Sequence, residues 1–194
     1  MKKLLLITCA AVLVGGGLLS IIKSHGQETE TVSSDLLNLP ANSTKIVVLK
    51  SERRLELYSG DKLLRTFRVG FGFSPVNDKV KEGDGATPEG EFYIFTKNPE
   101  SAYYLSLGIS YPNAEDAERG LSTGLITKEQ YQQIMEAVEN HSMPPQNTPL
   151  GGLIYIHGHG SHKDWTLGCV ALDDRDMKEL FDAVQVGTKV IIKH

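Results

Sequence analysis

From Lys45 onward the apolar positions fall into two rhythms. Ile46 to Leu49 is a short apolar run, and Leu55 and Leu57 alternate with Arg54 and Glu56 in the period of a half-buried strand. Ser59-Gly60-Asp61 supplies turn residues and Leu63 to Val69 resumes the pattern, which predicts a hairpin. Gly70, Gly72, Pro75, Gly83, Gly85, Pro88 and Gly90 then predict a long loop. Beyond it, Glu91 to Thr96 predicts a strand with Phe92 and Ile94 on one face and Tyr93 and Phe95 on the other. Further strands are expected at Leu153 to Ile156, ending at His157, at Cys169 to Leu172, and at Thr188 to Lys193.

Helical spacing interrupts this twice. Thr127 with Gln130 fits a capping box, and Tyr131, Ile134, Met135 and Val138 then repeat at i, i+3, i+4 and i+7. Pro144 and Pro145 end that helix. Asp173 or Asp174 is placed to cap a last helix, in which Met177, Leu180, Phe181 and Val184 recur at the same spacing. The expectation is a mainly β domain with two helices over residues 44–194, in which 113–150 is a helical insertion or lid.

The N-terminus differs in kind. Lys2 and Lys3 precede an uncharged, largely apolar run from Leu4 to Ile22, and Ser24-x-Gly26 offers a small-x-small cleavage site. Residues 1–26 therefore read as a signal peptide or an uncleaved membrane anchor, with the body outside the cytoplasm in either case. Residues 27–43 are polar and aperiodic, a linker.

Of 194 residues, 20 are Lys or Arg and 24 are Asp or Glu, for a net charge of -4. Since residues 1–26 hold lysines and no acid, the body is the more acidic part, which excludes the basic footprint of a nucleic-acid binder. Of the two cysteines, Cys9 lies in the apolar N-terminal run, so the body carries Cys169 alone. In an exported chain an unpaired cysteine is a buried small hydrophobe, an intermolecular bridge or a reactive thiol.

Its neighbourhood favours the last. Ile154 to Leu172 holds three of the six histidines beside that cysteine. His157, His159 and His162 have the H-x-H-x-x-H spacing of zinc hydrolases of the metallo-β-lactamase type. That pattern wants an Asp before its third His, however, where this chain has Ser161, and further His and acidic ligands in a second half-domain, where only residues 163–194 follow with His194 at the end. Thiol chemistry needs less: an imidazole to take the proton of Cys169, and a backbone free to approach a carbonyl, which Gly168 permits. If the strands before His157 and after Cys169 pair, the two side chains meet. Amides near Gly168 and Cys169 are then candidates to stabilise an oxyanion. His159 and His162 are pocket-lining or structural, Asp84 and Glu89 are turn residues, and Lys79 is a candidate for substrate carboxylates.

Asp164-Trp165-Thr166-Leu167-Gly168-Cys169-Val170-Ala171-Leu172, with Ile156-His157-Gly158 before it, resembles the catalytic core of the L,D-transpeptidase (YkuD-like) family. Gly83-Asp84-Gly85 with Thr87-Pro88-Glu89-Gly90, Ser106 to Asn113 and Val186-Gly187-Thr188 extend the likeness over about Lys45 to Lys193. The resemblance implies a β-sandwich catalytic domain without metal or cofactor. Its cysteine, here Cys169, attacks a peptidoglycan stem peptide, with His157 as base and acid and the Gly158 carbonyl orienting the ring. Thr166, Trp165, Gly168, Gly158 and His159 would form the oxyanion hole and pocket. The partners it implies are donor and acceptor stems, or a wall-linked lipoprotein, in the periplasm or cell envelope, with membrane contact only through residues 1–26. Many relatives carry His before the Gly-Cys pair and Arg two residues after the cysteine, where this chain has Leu167 and Ala171. A hydrolase on the same fold, an L,D-endopeptidase or amidase, is the alternative. A silent wall-binding module would have no use for both Cys169 and His157.

Overall fold

A computed structural model describes residues 44–194; the expected targeting segment 1–26 and linker 27–43 lie outside the described residues. Eight strands form one curled sheet in the order β3-β2-β1-β8-β4-β5-β6-β7. They are β1 (Thr44–Leu49), β2 (Arg54–Ser59), β3 (Lys62–Arg68), β4 (Gly90–Ser101), β5 (Tyr104–Ile109), β6 (Tyr155–His157), β7 (Val170–Ala171) and β8 (Lys189–Lys193). Among the described residues three helices accompany them: α1 (Ala114–Ser122), α2 (Lys128–Glu139) and α3 (Asp174–Ala183). No helix among the described residues is long and apolar enough to cross a membrane.

Register follows the apolar pattern. Ile46 and Val48 of β1 lie opposite Leu57 and Leu55 of β2 and beside Val190 and Ile192 of β8. Phe92 of β4 continues the row against Val190. All are buried in one core that also receives Leu107 and Ile109 from β5, Ile156 from β6, and Met177 and Leu180 from α3. A one-residue slip of any of these strands would turn its apolar set outward, which is why the register is so firmly specified.

β4 is longer than its expected 91–96. Its start pairs with β8, and its later part pairs with β5 through register shifts at Ile94/Thr96 and Asn98/Ser101. Such irregularities bend a strand, and here the bend divides the sheet into two halves around the shared core. The polar extension Lys97–Ser101 has no apolar alternation to announce it; its partner β5 makes it a strand. The two halves are rejoined after β3, where Gly70 bridges Ala171 of β7 and Gly72 bridges Thr166.

The insertion holds two helices where one was expected. α1 was hidden by its polar sequence, whose buried members are Asp116, Ala117 and Gly120. Asn113 caps it in a capping box with Asp116, as Thr127 does for α2 with Gln130. The stripe on α2 is centred on Ile134 and Ala137, with Tyr131, Met135 and Val138 at its edges. Ile134 with Ala117, Ile126 and Leu150 forms a second small core, against which Tyr131, Met135 and Val138 pack. Tyr93 ties it to the sheet by donating from its hydroxyl to the carbonyls of Ala137 (3.0 Å) and Ser142 (2.7 Å).

Candidate active site

β6 and β7 run parallel, with Ile156 beside Val170 and His157 beside Ala171. One step back along this register, Cys169 falls level with Tyr155. Residues 155 and 157 share a face of the sheet, so the side chains of Cys169 and His157 emerge on the same side. Both line a cleft of about 940 Å³, together with Tyr103, Leu153, Trp165 and Thr166.

The imidazole is held on three sides. His157 Nδ1 lies 2.8 Å from the carbonyl oxygen of Gly158. A carbonyl only accepts, so Nδ1 carries the proton and Nε2 keeps its lone pair. The Tyr103 ring leans over the imidazole at 4.7 Å between centroids and 32°, and Trp165 meets it edge-on at 5.5 Å and 73°. Trp165 is itself fixed by Nε1 donating to the Gly160 carbonyl at 3.1 Å. Gly158 has no room for a side chain: a Cβ would come within 2.5 Å of Asp174 Oδ1 and 3.0 Å of the Tyr103 carbonyl.

The turn bearing the thiol is braced from below. Thr166 Oγ1 donates to the Cys169 carbonyl at 2.8 Å and accepts from the Gly168 amide at 3.2 Å, closing a small ring under the sulfur. The Gly168 amide is thus occupied in this resting arrangement. Gly168 has φ +131, a conformation that favours glycine, and a Cβ would lie 2.7 Å from the Ala86 carbonyl. Trp165 and Thr166 both donate backbone N–H to the Phe71 carbonyl, and Asp164 Oδ1 accepts from the Phe71 amide at 3.0 Å. Arg53 grips the Asp164 carboxylate with both terminal nitrogens at 2.6 Å, the planar fork that suits this pair. The Arg53 guanidinium holds the Asp164 carboxyl below the usual carboxylate range.

Burial sets the protonation states. It pushes the Cys169 thiol up to about 11, against smaller pulls from the Tyr155 amide and the charge of Lys79. Burial also holds the His157 imidazole below the usual histidine range, although the Gly158 carbonyl pulls the other way. The resting pair is therefore neutral thiol beside neutral imidazole. The Tyr155 amide points at Cys169 Sγ from 3.4 Å, placed to receive negative charge if it develops there.

Other sequence expectations meet mixed outcomes. His157, Cys169, Trp165 and Thr166 converge on the cleft, with Gly158 and Gly168 directly behind them. His159 does not line it: the residue turns outward with φ 75, exposed, and touches the Tyr103 ring by its edge. His162 is exposed as well. Asp84 is a turn residue, accepting from the Val80, Lys81 and Ala86 amides. Lys79 lines the cleft although only 2% exposed, and its ammonium donates to Asp84 and to the Lys81 carbonyl. Glu89 pairs with buried Lys50 at 2.8 Å. The helices of the insertion do not reach the cleft; Met143 and Gln146, from the segment that follows α2, form part of its wall. Tyr103, Arg53 and Asp174 carry no local signal in the sequence that links them to this site.

A model of the YkuD family, the L,D-transpeptidase catalytic domain, matches residues 43–192. The Escherichia coli K12 protein named "Putative L,D-transpeptidase YafK" is 32% identical over 124 residues, covering 60% of this chain and 48% of that protein. The chain thus spans about half the length of the curated relatives it matches. Among solved structures, the helical cell shape determining protein Pgp2 (K307A mutant) of Campylobacter jejuni superposes with TM-score 0.52 at 23% identity. That match covers 85% of this chain and 54% of that one. Bd1075 of Bdellovibrio bacteriovorus gives 0.51 at 19%, covering 78% and 48%. At these identities the two structures testify to the fold, and the family match extends over nearly every described residue. By that match the chain belongs to the YkuD family of L,D-transpeptidase catalytic domains.

Proposed function

We propose that the protein is a cysteine-dependent L,D-transpeptidase acting on peptidoglycan stem peptides in cell-wall cross-linking or remodelling. The observation that carries this reading is the orientation of His157. Its Nδ1–H is spent on the Gly158 carbonyl, which leaves Nε2 as a lone pair in the cleft that also holds the Cys169 thiol. Nε2 takes the thiol proton as Sγ attacks the carbonyl following the L-centre of the donor stem. The imidazolium then returns the proton to the departing D-alanine amine, leaving a thioester at Cys169. The amine of an acceptor stem attacks that thioester, Nε2 takes up its proton, and the thiol is restored. A wall-linked lipoprotein lysine is an acceptor of the same chemistry. The proposed place of action is the cell envelope outside the cytoplasm, with residues 1–26 as signal or anchor.

The test is a mass analysis of digested peptidoglycan after incubation with the protein, with and without added amine acceptors. Cross-linked or exchanged stems are expected, and none with Cys169→Ala. Hydrolysed stems alone, whatever amine is supplied, would replace the transferase reading with the L,D-endopeptidase alternative.

A further inference from the structure

The carbonyl that orients His157 belongs to the peptide joining Gly158 to His159. The other end of that same peptide plane, the His159 N–H, donates to Asp174 Oδ1 at 2.8 Å. Asp174 is the first residue of α3, yet its carboxylate is turned away from a capping role. Asp173, at the N-cap, likewise makes no side-chain cap bond and accepts the Ser161 amide at 2.9 Å. The preceding Gly158 amide donates to the Tyr103 carbonyl at 3.0 Å, so the peptides on both sides of Gly158 are pinned. Gly158 itself leaves the space into which Asp174 Oδ1 fits.

We infer that Asp174 is a positioning residue for His157, acting through the 158–159 peptide bond as the acidic third member of a Cys169–His157 relay. The chemistry is that of hydrogen bonds in series. A carboxylate accepting at the N–H end of an amide increases the negative charge on its carbonyl oxygen, which strengthens the bond that oxygen accepts from Nδ1–H. Nε2 becomes a better base, and the imidazolium formed during attack is stabilised without a carboxylate touching the ring. The inference rests on the reading of His157 as the general base. Groups facing the imidazole from other segments are the rings of Tyr103 on the β4–β5 turn and Trp165 before β7, with the Cys169 thiol in the same cleft. On its own segment the neighbour is His159, whose charge opposes protonation. Asp174 is the acid whose path to the ring is a single peptide plane.

Asp174→Asn tests this in the full chain, because its side-chain oxygen still accepts the His159 amide while the charge is lost. Titration of His157, followed by the NMR signal of its ring Cε1 and assigned with His157→Gln, should move to lower pH. Since Asp174 is solvent-exposed, a shift of about half a pH unit is expected. The acid limb of kcat/KM on purified peptidoglycan should move with it, and the plateau should fall by ~3–10-fold. Asp173→Asn removes the same charge one residue away but from a different peptide, and should shift the titration less. An unmoved His157 titration in Asp174→Asn, or equal shifts from both variants, would overturn the relay. If His157→Gln keeps near-full activity, it is the general-base reading that fails, and the NMR titration separates that case from failure of the relay.

Discussion

At the scale of single residues the proposed mechanism asks two uncharged side chains to react. Burial pushes the Cys169 thiol up and the His157 imidazole down, so neither carries charge before substrate arrives. Proton transfer must then accompany attack, and a small-molecule electrophile should find the thiol sluggish. Alkylation of Cys169 by iodoacetamide is expected to be slow at pH 7 and to keep rising with pH until near about 11, read by mass. A plateau below pH 8 would mean a preformed thiolate. In the proposed mechanism turnover needs neutral Nε2, so its acid limb should fall below the usual histidine range of about 6.5. His157→Ala should cost far more activity than His159→Ala, since His159 faces solvent outside the cleft; equal losses would sink the assignment. The sequence announces Cys169 and His157 because their glycine neighbours and close spacing are local. It is silent on Tyr103 and Arg53, because they reach the site from distant parts of the chain by a ring face and an ion pair, and Asp174, although close behind Cys169, reads in sequence only as a helix cap.

At the scale of elements, the regular pieces were legible where burial is one-sided. β1 and α3 show their periods because one face meets the core and the other is open to water, whereas in β2 Glu56 is buried on the far face as well. The pattern fails where an element is stabilised by its partners. α1 is polar and rests on its capping box and on Arg119, which donates to Asp116 at 2.6 Å and to the Lys79 carbonyl at 2.8 Å. The far half of β4 exists because β5 pairs with it. Tyr93 shows how the insertion depends on such contacts, since one hydroxyl serves two carbonyls at the end of α2. Tyr93→Phe leaves the Ser142 carbonyl without this donor, while the Ala137 carbonyl keeps the Ser142 amide at 2.9 Å, and should destabilise the protein by ~1–3 kcal/mol in urea unfolding. Because the segment after α2 carries Met143 and Gln146 into the cleft wall, KM should rise more than kcat falls. A stability loss with unchanged KM would show that this wall does not contact substrate.

At the scale of the whole molecule, the first and last described strands lie side by side. β1 and β8 are parallel neighbours in mid-sheet, so the architecture is complete only when the last described strand is in place. Lys97 adds a second tie between sheet and C-terminal helix, donating to the Phe181 and Val184 carbonyls at 2.5 and 2.6 Å, the end where a cation suits the helix dipole. The curl is closed by the segment after β3, and the closure is where the site lies. Gly70 exchanges both backbone bonds with Ala171, at 2.9 and 2.8 Å, two residues beyond Cys169. A Cβ on Gly70 would stand 2.3 Å from the Lys163 carbonyl, a backbone atom that cannot rotate away. Gly70→Ala must therefore push the 163–171 turn off the seam while leaving most of the core residues untouched. The expected stability cost is ~1–3 kcal/mol, the ordinary range for overpacking. The activity cost should be much larger than that stability loss implies, because the displaced turn carries Trp165, Thr166 and Cys169 together, and small misplacements at a reacting centre can cost ~100-fold. The measurements are urea unfolding and turnover on purified peptidoglycan at a denaturant-free temperature well below the transition. If turnover falls only by the fraction of molecules unfolded, the seam holds the fold together but does not set the geometry of the cysteine.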